Sequence, residues 1–271
     1  MPSLAHGPGR RLLLAPLLLL FAAGVARAAT CDRPLRPPAP DTGIHAPWDG
    51  LVRSFVDHGE VDYACMKAHE GQLDRYLGLL ARIRPERLSR EAQLALWIDA
   101  YNAFTVKLIL GRYPGIRSIK EIPRRWKRRD WRVGGRRYSL DEIENDILRA
   151  RFHEPRIHFA INCASKSCPD LASEAYVAPR LEAQLDAAAR RFLADPRKGA
   201  RVAPGRGLFG RGDRLYLSAI FKWFGEDFTR AGGLVPFLLT YLPEGPRAFV
   251  ARHRSDLPVS YLPYDWSLNG R

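Results

Sequence analysis

The sequence predicts an α+β fold: a helix-dominant single domain around a buried central helix, with a small mixed or antiparallel sheet. Three observations predict it. Residues 88–115 (LSREAQLALWIDAYNAFTVKLILGRYPG) are apolar almost all the way round a helix, which places that helix inside a domain, covered on several sides. Short strand signals lie between helical stretches along the chain. The composition is 46% hydrophobic, with no low-complexity linker or internal repeat to divide it, so one core is expected.

The elements follow in order. A proline-rich lead-in, CDRPLRPPAPDTGIHAP (31–47), precedes an amphipathic helix over 48–56 and a short strand over 60–63. Residues 72–83 repeat apolar side chains at helical spacing, with Leu73, Tyr76, Leu77 and Leu80 on one side. Ser89 caps the start of the central helix, and Gly111 with Pro114 marks its end. PRRWKRRDWRVGGRRYSLDE (123–142) reads as a β-hairpin around Gly134-Gly135, leading into a helix with a Ser139–Glu142 capping box. A strand is expected over 156–161, with Ile157, Phe159 and Ile161 on one face and His158, Ala160 and Asn162 on the other. The loop CASKSCP ends it, and a helix over 179–193 follows, with proline in its first turn. A Gly-rich basic loop covers 199–213. Beyond it the sequence predicts a strand over 214–217, a helix capped by Ser218 (218–228), helices near 234–241 and 247–253, and an extended aromatic end, VSYLPYDWSLN.

Compartment is read from the N-terminus. Arg10 and Arg11 precede an apolar run from Leu12 to Val25, and Ala26-Arg27-Ala28 supplies a small-x-small site. That is the layout of a cleaved secretory signal peptide over residues 1–28, too short to span a bilayer comfortably. The expected location is periplasmic or secreted. Residues 29–60 then form the lead-in and first helix, and 61–271 the main domain.

The chain carries a formal net charge of +14, with arginine widely spread. Export makes nucleic acid an unsuitable partner. The basic charge points instead to an anionic envelope component, a polypeptide substrate, or peripheral contact with a membrane surface. Arg124, Arg125, Lys127, Arg128, Arg129, Arg132, Arg136 and Arg137 alternate with Trp126 and Trp131 around the hairpin. Such a stretch can grip acidic groups, or it can be a solvated face pinned on the core by its tryptophans.

No cofactor signature survives. Gly205-x-Gly207-x-x-Gly210 has the letters of a dinucleotide fingerprint, but a strand, not a helix N-terminus, is expected after it. The chemistry concentrates in IHFAINCASKSCPDL (157–171). A thiol reacts as thiolate, and a nearby imidazole favours that form. Cys163 is the candidate nucleophile and His158 its base. Asn162 is a candidate donor to developing negative charge. Asp265 or Asn102 would orient the histidine, as the third member of a triad does. The alternative for Asp265 is to lock the C-terminal segment, and for Asp99 and Asn102 to hydrogen-bond nearby loops. The four cysteines, Cys31, Cys65, Cys163 and Cys168, also allow disulfides, with Cys163–Cys168 and Cys31–Cys65 the favoured pairs. A zinc site of His158, Cys163 and Cys168 is the third reading of the loop.

LWIDAYNAFTV (96–106), SLDEIENDILR (139–149), PRIHFAINCASKSCPDL (155–171), LSAIFKWFGEDF (217–228) and YDWSLN (264–269) together resemble the DUF547 family, a domain of unknown function found in bacterial exported proteins and in multidomain plant and animal proteins. The resemblance runs from about Val61 to the C-terminus. It implies that Trp97, Tyr101, Asn102, His158, Cys163, Cys168, Pro169, Ser218, Trp223 and Phe224 occupy the family's recurrent positions. Asp99 departs from the asparagine often found there. Relatives that look intracellular share the two-cysteine loop, which implies a reactive thiol more than a structural disulfide.

The functional expectation is a thiol-dependent enzyme, acting by acyl transfer or hydrolysis or by thiol–disulfide exchange, on an envelope-associated substrate; Cys168 would resolve the mixed disulfide in the second case. The competing expectation is a non-catalytic binding or scaffolding module, stapled by Cys163–Cys168, whose basic hairpin contacts an anionic partner.

Overall fold

Ser89 starts the element on which everything else is mounted: its hydroxyl accepts the amide of Ala92 and opens α4 (Arg90–Leu110). Leu94, Leu96, Ile98, Tyr101, Phe104, Val106 and Ile109 are all buried, so α4 is covered on every side along its middle. The computed structural model describes residues 31–205 and 212–271; the expected signal peptide, and Gly207 and Gly210 of the glycine pattern, lie outside the described residues. The fold is α+β, with helices predominating and strands confined to small sheets.

Three helices precede α4: α1 (Ala46–Phe55), α2 (Tyr63–Ala68) and α3 (Glu70–Arg82). Two short strands, β1 (Val56–Asp57) and β2 (Glu60–Val61), pair antiparallel between α1 and α2. α3 buries Leu73, Tyr76 and Leu80, the expected stripe less Leu77, which is half-buried. The lead-in is fastened to the body by a Cys31–Cys65 disulfide. The buried Asp49 carboxylate accepts the amides of Ala39 and Ala175, joining lead-in, α1 and main domain in one core.

The hairpin forms as the sequence predicts. β3 (Trp131–Val133) pairs antiparallel with β4 (Arg136–Tyr138), Val133 opposite Arg136. Gly134 (φ +58°) and Gly135 (φ +79°) both take the left-handed conformation that a two-residue turn of this kind requires. Trp131 stacks on Phe104 of α4, so its ring anchors the basic hairpin to the core. Arg128 and Arg129 are tied up in ion pairs with Asp130 and Glu142. The Ser139–Glu142 capping box closes in both directions, at 2.8 and 3.1 Å. The helix it opens, Glu142–Phe152, is wound as a π-helix.

The strand expected over 156–161 does not form. Pro155–Phe159 is a 3-10 helix. Pro155 begins the turn, and the Glu154 carboxylate caps the amide of Arg156. Beyond it, Asn102 of α4 takes up both the carbonyl of Ala160 and the amide of Asn162. The backbone groups that would have sought a neighbouring strand are therefore met by side chains. Ile157 packs into the core around α4, while Phe159 packs into a second cluster with Phe192, Leu215, Phe221 and Phe228. His158 is pinned at the seam between the two.

That second cluster is closed by α5 (Leu181–Ala194) and a mixed sheet. β5 (Ala200–Pro204) and β6 (Asp213–Leu217) are antiparallel, and β7 (Val259–Tyr261) adds parallel to β6. β5 occupies residues read from sequence as loop. The expected 218–228 helix is broken at Phe224 into α6 (Ile220–Trp223) and α7 (Gly225–Arg230). Helices α8 (Leu234–Tyr241) and α9 (Glu244–Arg252) follow. The tail then crosses to β2: Val61 exchanges backbone hydrogen bonds with Asn269 and Arg271. A Cβ on Gly270 would stand 1.9 Å from the carbonyl oxygen of Val61, so only glycine permits this approach. Among the described residues, no helix is long and apolar enough to cross a membrane.

Candidate active site

Asn102 and Asn162 build the platform that carries Cys163. Asn102 fixes the backbone on either side of Ile161, as described above. Asn162 then folds its amide back onto its own loop: Nδ2 donates to the carbonyl of Pro169 at 2.6 Å, and Oδ1 accepts the amide of Ala164 at 2.8 Å. Asn269 of the tail donates to the same oxygen at 3.3 Å. These bonds hold Ala164 at φ +58°, a left-handed conformation that costs a non-glycine residue about 1 kcal/mol. The chain bends sharply there, directly after Cys163. Asn162 thus positions the bend that follows Cys163.

Cys163 and Cys168 are free thiols, not a disulfide. The Cys163 amide donates to Cys168 Sγ at 2.8 Å. Cys163 Sγ lies 3.0 Å from Ser165 Oγ and 3.2 Å from the hydroxyl of Tyr264. Burial acts to raise the Cys163 thiol, but hydrogen bonds from Cys168, Ser165 and Tyr264 outweigh it and hold the pKa below the ordinary thiol value. Burial, and then the neighbouring Cys163 sulfur, push Cys168 well above it. Cys163 is thus the more acidic sulfur of the pair and Cys168 the less acidic.

His158 is 3% exposed. Its Nε2 meets Asp227 Oδ2 at 2.7 Å, and the ring stacks on Phe224 at 4.2 Å. Arg149 grips the same carboxylate through Nε (2.6 Å) and Nη2 (3.1 Å). Burial acts to raise the Asp227 carboxyl, but the bonds from His158 and Arg149 hold it far below the ordinary range. Burial dominates at His158 and lowers its pKa, so the imidazole is neutral near pH 7.

Asp265 does not orient His158. Its carboxylate accepts the amide and hydroxyl of Ser267, at 2.9 and 2.6 Å, and its backbone pairs with Ser167. It locks the C-terminal segment over the cysteine loop. The residue that holds the histidine is Asp227, which sequence reasoning missed. Its only sequence signal was an acid on the helix beside Phe224, in the FGEDF stretch. Asp99 and Asn102 serve neighbouring loops: Asp99 Oδ1 accepts the amide of Tyr176, and Oδ2 lies 2.8 Å from His45 Nδ1. Among the described residues, no group of three or more His, Cys, Asp or Glu side chains is disposed to hold a metal ion, so the His158–Cys163–Cys168 zinc arrangement is not formed.

His158, Cys163 and Cys168 all open onto one cavity of about 230 Å³. Trp126, Trp223, Phe224, Tyr264 and Trp266 supply aromatic wall, and Tyr101, Asp141, Glu144 and Asn145 the polar side. Glu144 accepts the Tyr101 hydroxyl at 3.1 Å, and burial pushes its carboxyl up to about 7.

Fold and site together define an α+β protein with an uneven thiol pair and a carboxylate-held imidazole in a single aromatic cavity. Residues 85–193 match the family model DUF547, described as a protein of unknown function; the match takes in α4, the π-helix, His158 and both free cysteines. No curated protein and no solved structure matches the chain.

Proposed function

We propose that the protein is an exported thiol-dependent acyl-transfer enzyme, in which Cys163 is the nucleophile, His158 the base and acid, and Asp227 the residue that orients the imidazole. The observation that carries this reading is that the Cys163 thiol and the Asp227-held His158 line the same cavity. With Nε2–H directed at Asp227, Nδ1 is the basic nitrogen of the neutral ring, the form able to take a proton. Nδ1 takes the Cys163 thiol proton as the sulfur attacks an acyl carbon, and the tetrahedral oxyanion receives a hydrogen bond from the Tyr264 hydroxyl. The leaving group departs with a proton from His158. Water or an amine then releases the acyl group from the thioester. The Cys31–Cys65 disulfide and the basic leader support export through an oxidising compartment. The exposed arginines of the hairpin suit an envelope-associated, anionic partner.

A second reading is favoured by the 2.8 Å contact between the Cys163 amide and Cys168 Sγ, which sets a resolving thiol beside the nucleophile. Cys163 would attack a substrate disulfide, and Cys168 would then displace the reduced substrate and leave a Cys163–Cys168 disulfide. Both readings lose all reaction with a thiol-directed activity probe in Cys163→Ala. Cys168→Ala separates them: turnover of an activated ester survives under acyl transfer, whereas a trapped mixed disulfide accumulates under exchange. A wild-type protein whose two cysteines stay oxidised and inert to mild reductant would leave only a binding module.

A further inference from the structure

The polar wall of the cavity holds a carboxylate with too little to bind. Glu144 is half-buried, faces the space shared with Cys163 and, among the described residues, takes one side-chain hydrogen bond, from the Tyr101 hydroxyl. Three indole rings, Trp126, Trp223 and Trp266, line the same cavity. Lys120 and Arg125 lie over Trp266 and Trp126, each 5.4 Å from the ring centroid. Trp223 is 47% exposed and has no protein cation over its face among the described residues. A carboxylate that shares a cavity with electron-rich rings attracts one chemical class above others, an organic cation, because both kinds of group gain from positive charge in a partly dry space.

We infer that this cavity binds the primary ammonium group of an alkylamine of the lysine side-chain type, held between Glu144 and Trp223, as the acceptor of the acyl group. The acceptor role rests on the acyl-transfer reading above; the binding does not. In the transfer, the ammonium gives one proton to the Glu144 carboxylate. Its nitrogen attacks the thioester carbonyl carbon, a C–N bond forms and the C–S bond breaks. The second nitrogen proton passes through His158 to the departing Cys163 sulfur, leaving a neutral amide and a thiol.

The ionisation of Glu144 makes the idea testable without any turnover. Its carboxyl, pushed up to about 7 by burial, must lose its proton to pair with a cation, while an alkylammonium keeps its charge to about pH 10. Other charged or titratable groups facing it are Tyr101 from α4, Asp141 and Arg149 from its own helix, Asp227 from α7, and Cys163 with Cys168 from the loop. The Glu144→Gln variant keeps all of these and so isolates the glutamate.

The experiment is a fluorescence titration of the intact protein, following tryptophan emission, with n-pentylamine and with its neutral counterpart n-pentanol. It is run from about pH 5.5 to about pH 8.5. Saturable binding of the amine is expected, roughly tenfold tighter than the alcohol at the upper pH, and weakening roughly tenfold as pH falls through 7. Glu144→Gln should remove both the preference and the pH dependence. Equal binding of amine and alcohol, a flat pH profile, or unchanged amine affinity in Glu144→Gln overturns the inference. So does an amine response that never saturates. If the variant fails to fold, the wild-type comparison of amine with alcohol still decides. An unreactive Cys163 in a protein that binds the amine would sink the acyl-transfer reading alone.

Discussion

His158 Nε2 and Asp227 Oδ2 stand 2.7 Å apart across 69 positions of chain, and this contact ties the 3-10 helix before the cysteine loop to the short helix after Phe224. Both groups have folded pKa values below their ordinary ones. A depressed pKa contributes stability that is present above the unfolded value and is lost as pH falls towards the folded value. For His158 the loss begins below about pH 6.5, and for Asp227 below about pH 4. Glu144, raised to about 7, gains stability as pH falls over part of the same range, so the His158 contribution is read against His158→Gln. The margin in melting temperature of the wild type over His158→Gln should shrink as pH falls below about 6.5. A margin that stays constant between about pH 6.5 and about pH 5 would show that His158 carries no such contribution.

Asp227→Asn should do more harm than His158→Gln, because it also strands Arg149, which makes two bonds to the carboxylate. Leaving a partly buried guanidinium without its partner costs about 2–4 kcal/mol. Chemical denaturation would read this as a lower midpoint with an unchanged slope. Thiol reactivity at Cys163 should fall in the same variant under the triad reading, whereas Asp265→Asn should leave it intact, since Asp265 serves Ser267.

The two cysteines should separate by pH. Alkylation of Cys163 should proceed below its unperturbed pKa of about 8.5, and Cys168 should stay unlabelled over the same range, being both buried and pushed well above the ordinary thiol value. Tyr264→Phe removes a donor to the Cys163 sulfur, so its labelling profile should move upward by a few tenths to one pH unit. Mass spectrometry of the labelled peptides distinguishes the two sites. Equal labelling of both would mean that the loop opens freely and the asymmetry of the pair does not persist.

α4, the hairpin and the capping box were legible because each is dictated locally. All-round apolarity, a Gly-Gly turn and a Ser-x-x-Glu pair need no distant partner to be interpreted. The 156–161 segment was misread for the opposite reason. Its alternation of Ile157, Phe159 and Ile161 with polar residues is strand-like, but those three side chains serve two separate clusters, and Asn102, far away in sequence, satisfies the backbone. The same limit explains the site. His158 and Cys163 were visible as chemistry in one stretch, and the locking role open to Asp265 was visible as a local pattern. The Asp227 carboxylate reaches His158 only because α6 and α7 break at Phe224, and no spacing rule in the sequence announces that break.

Asn102 gives a test of how far the loop depends on α4. Removing its amide in Asn102→Ala leaves the Ala160 carbonyl and the Asn162 amide without partners inside the protein. Two unsatisfied buried backbone groups cost about 2–5 kcal/mol. The effect should extend beyond stability, since the Ala164 conformation is held from the same platform. Faster hydrogen exchange over 160–168, with α4 still protected, is the expected pattern. Uniform loosening of the whole chain would mean that Asn102 acts on the core and not on the loop.

The Cys31–Cys65 disulfide should matter through the unfolded chain. It closes a loop of 34 positions, for which chain-entropy arguments give about 3–4 kcal/mol. In the folded state the lead-in has other anchors: the Asp49 carboxylate takes the amide of Ala39, and Ser54 Oγ takes the amide of Arg36. Joint replacement of both cysteines by serine should therefore lower the denaturation midpoint substantially while leaving α1 packed and Cys163 labelling unchanged. If the double variant instead lost Cys163 reactivity, the lead-in would be shaping the cavity as well as bracing the fold, and the independence of site and staple argued from these contacts would fail.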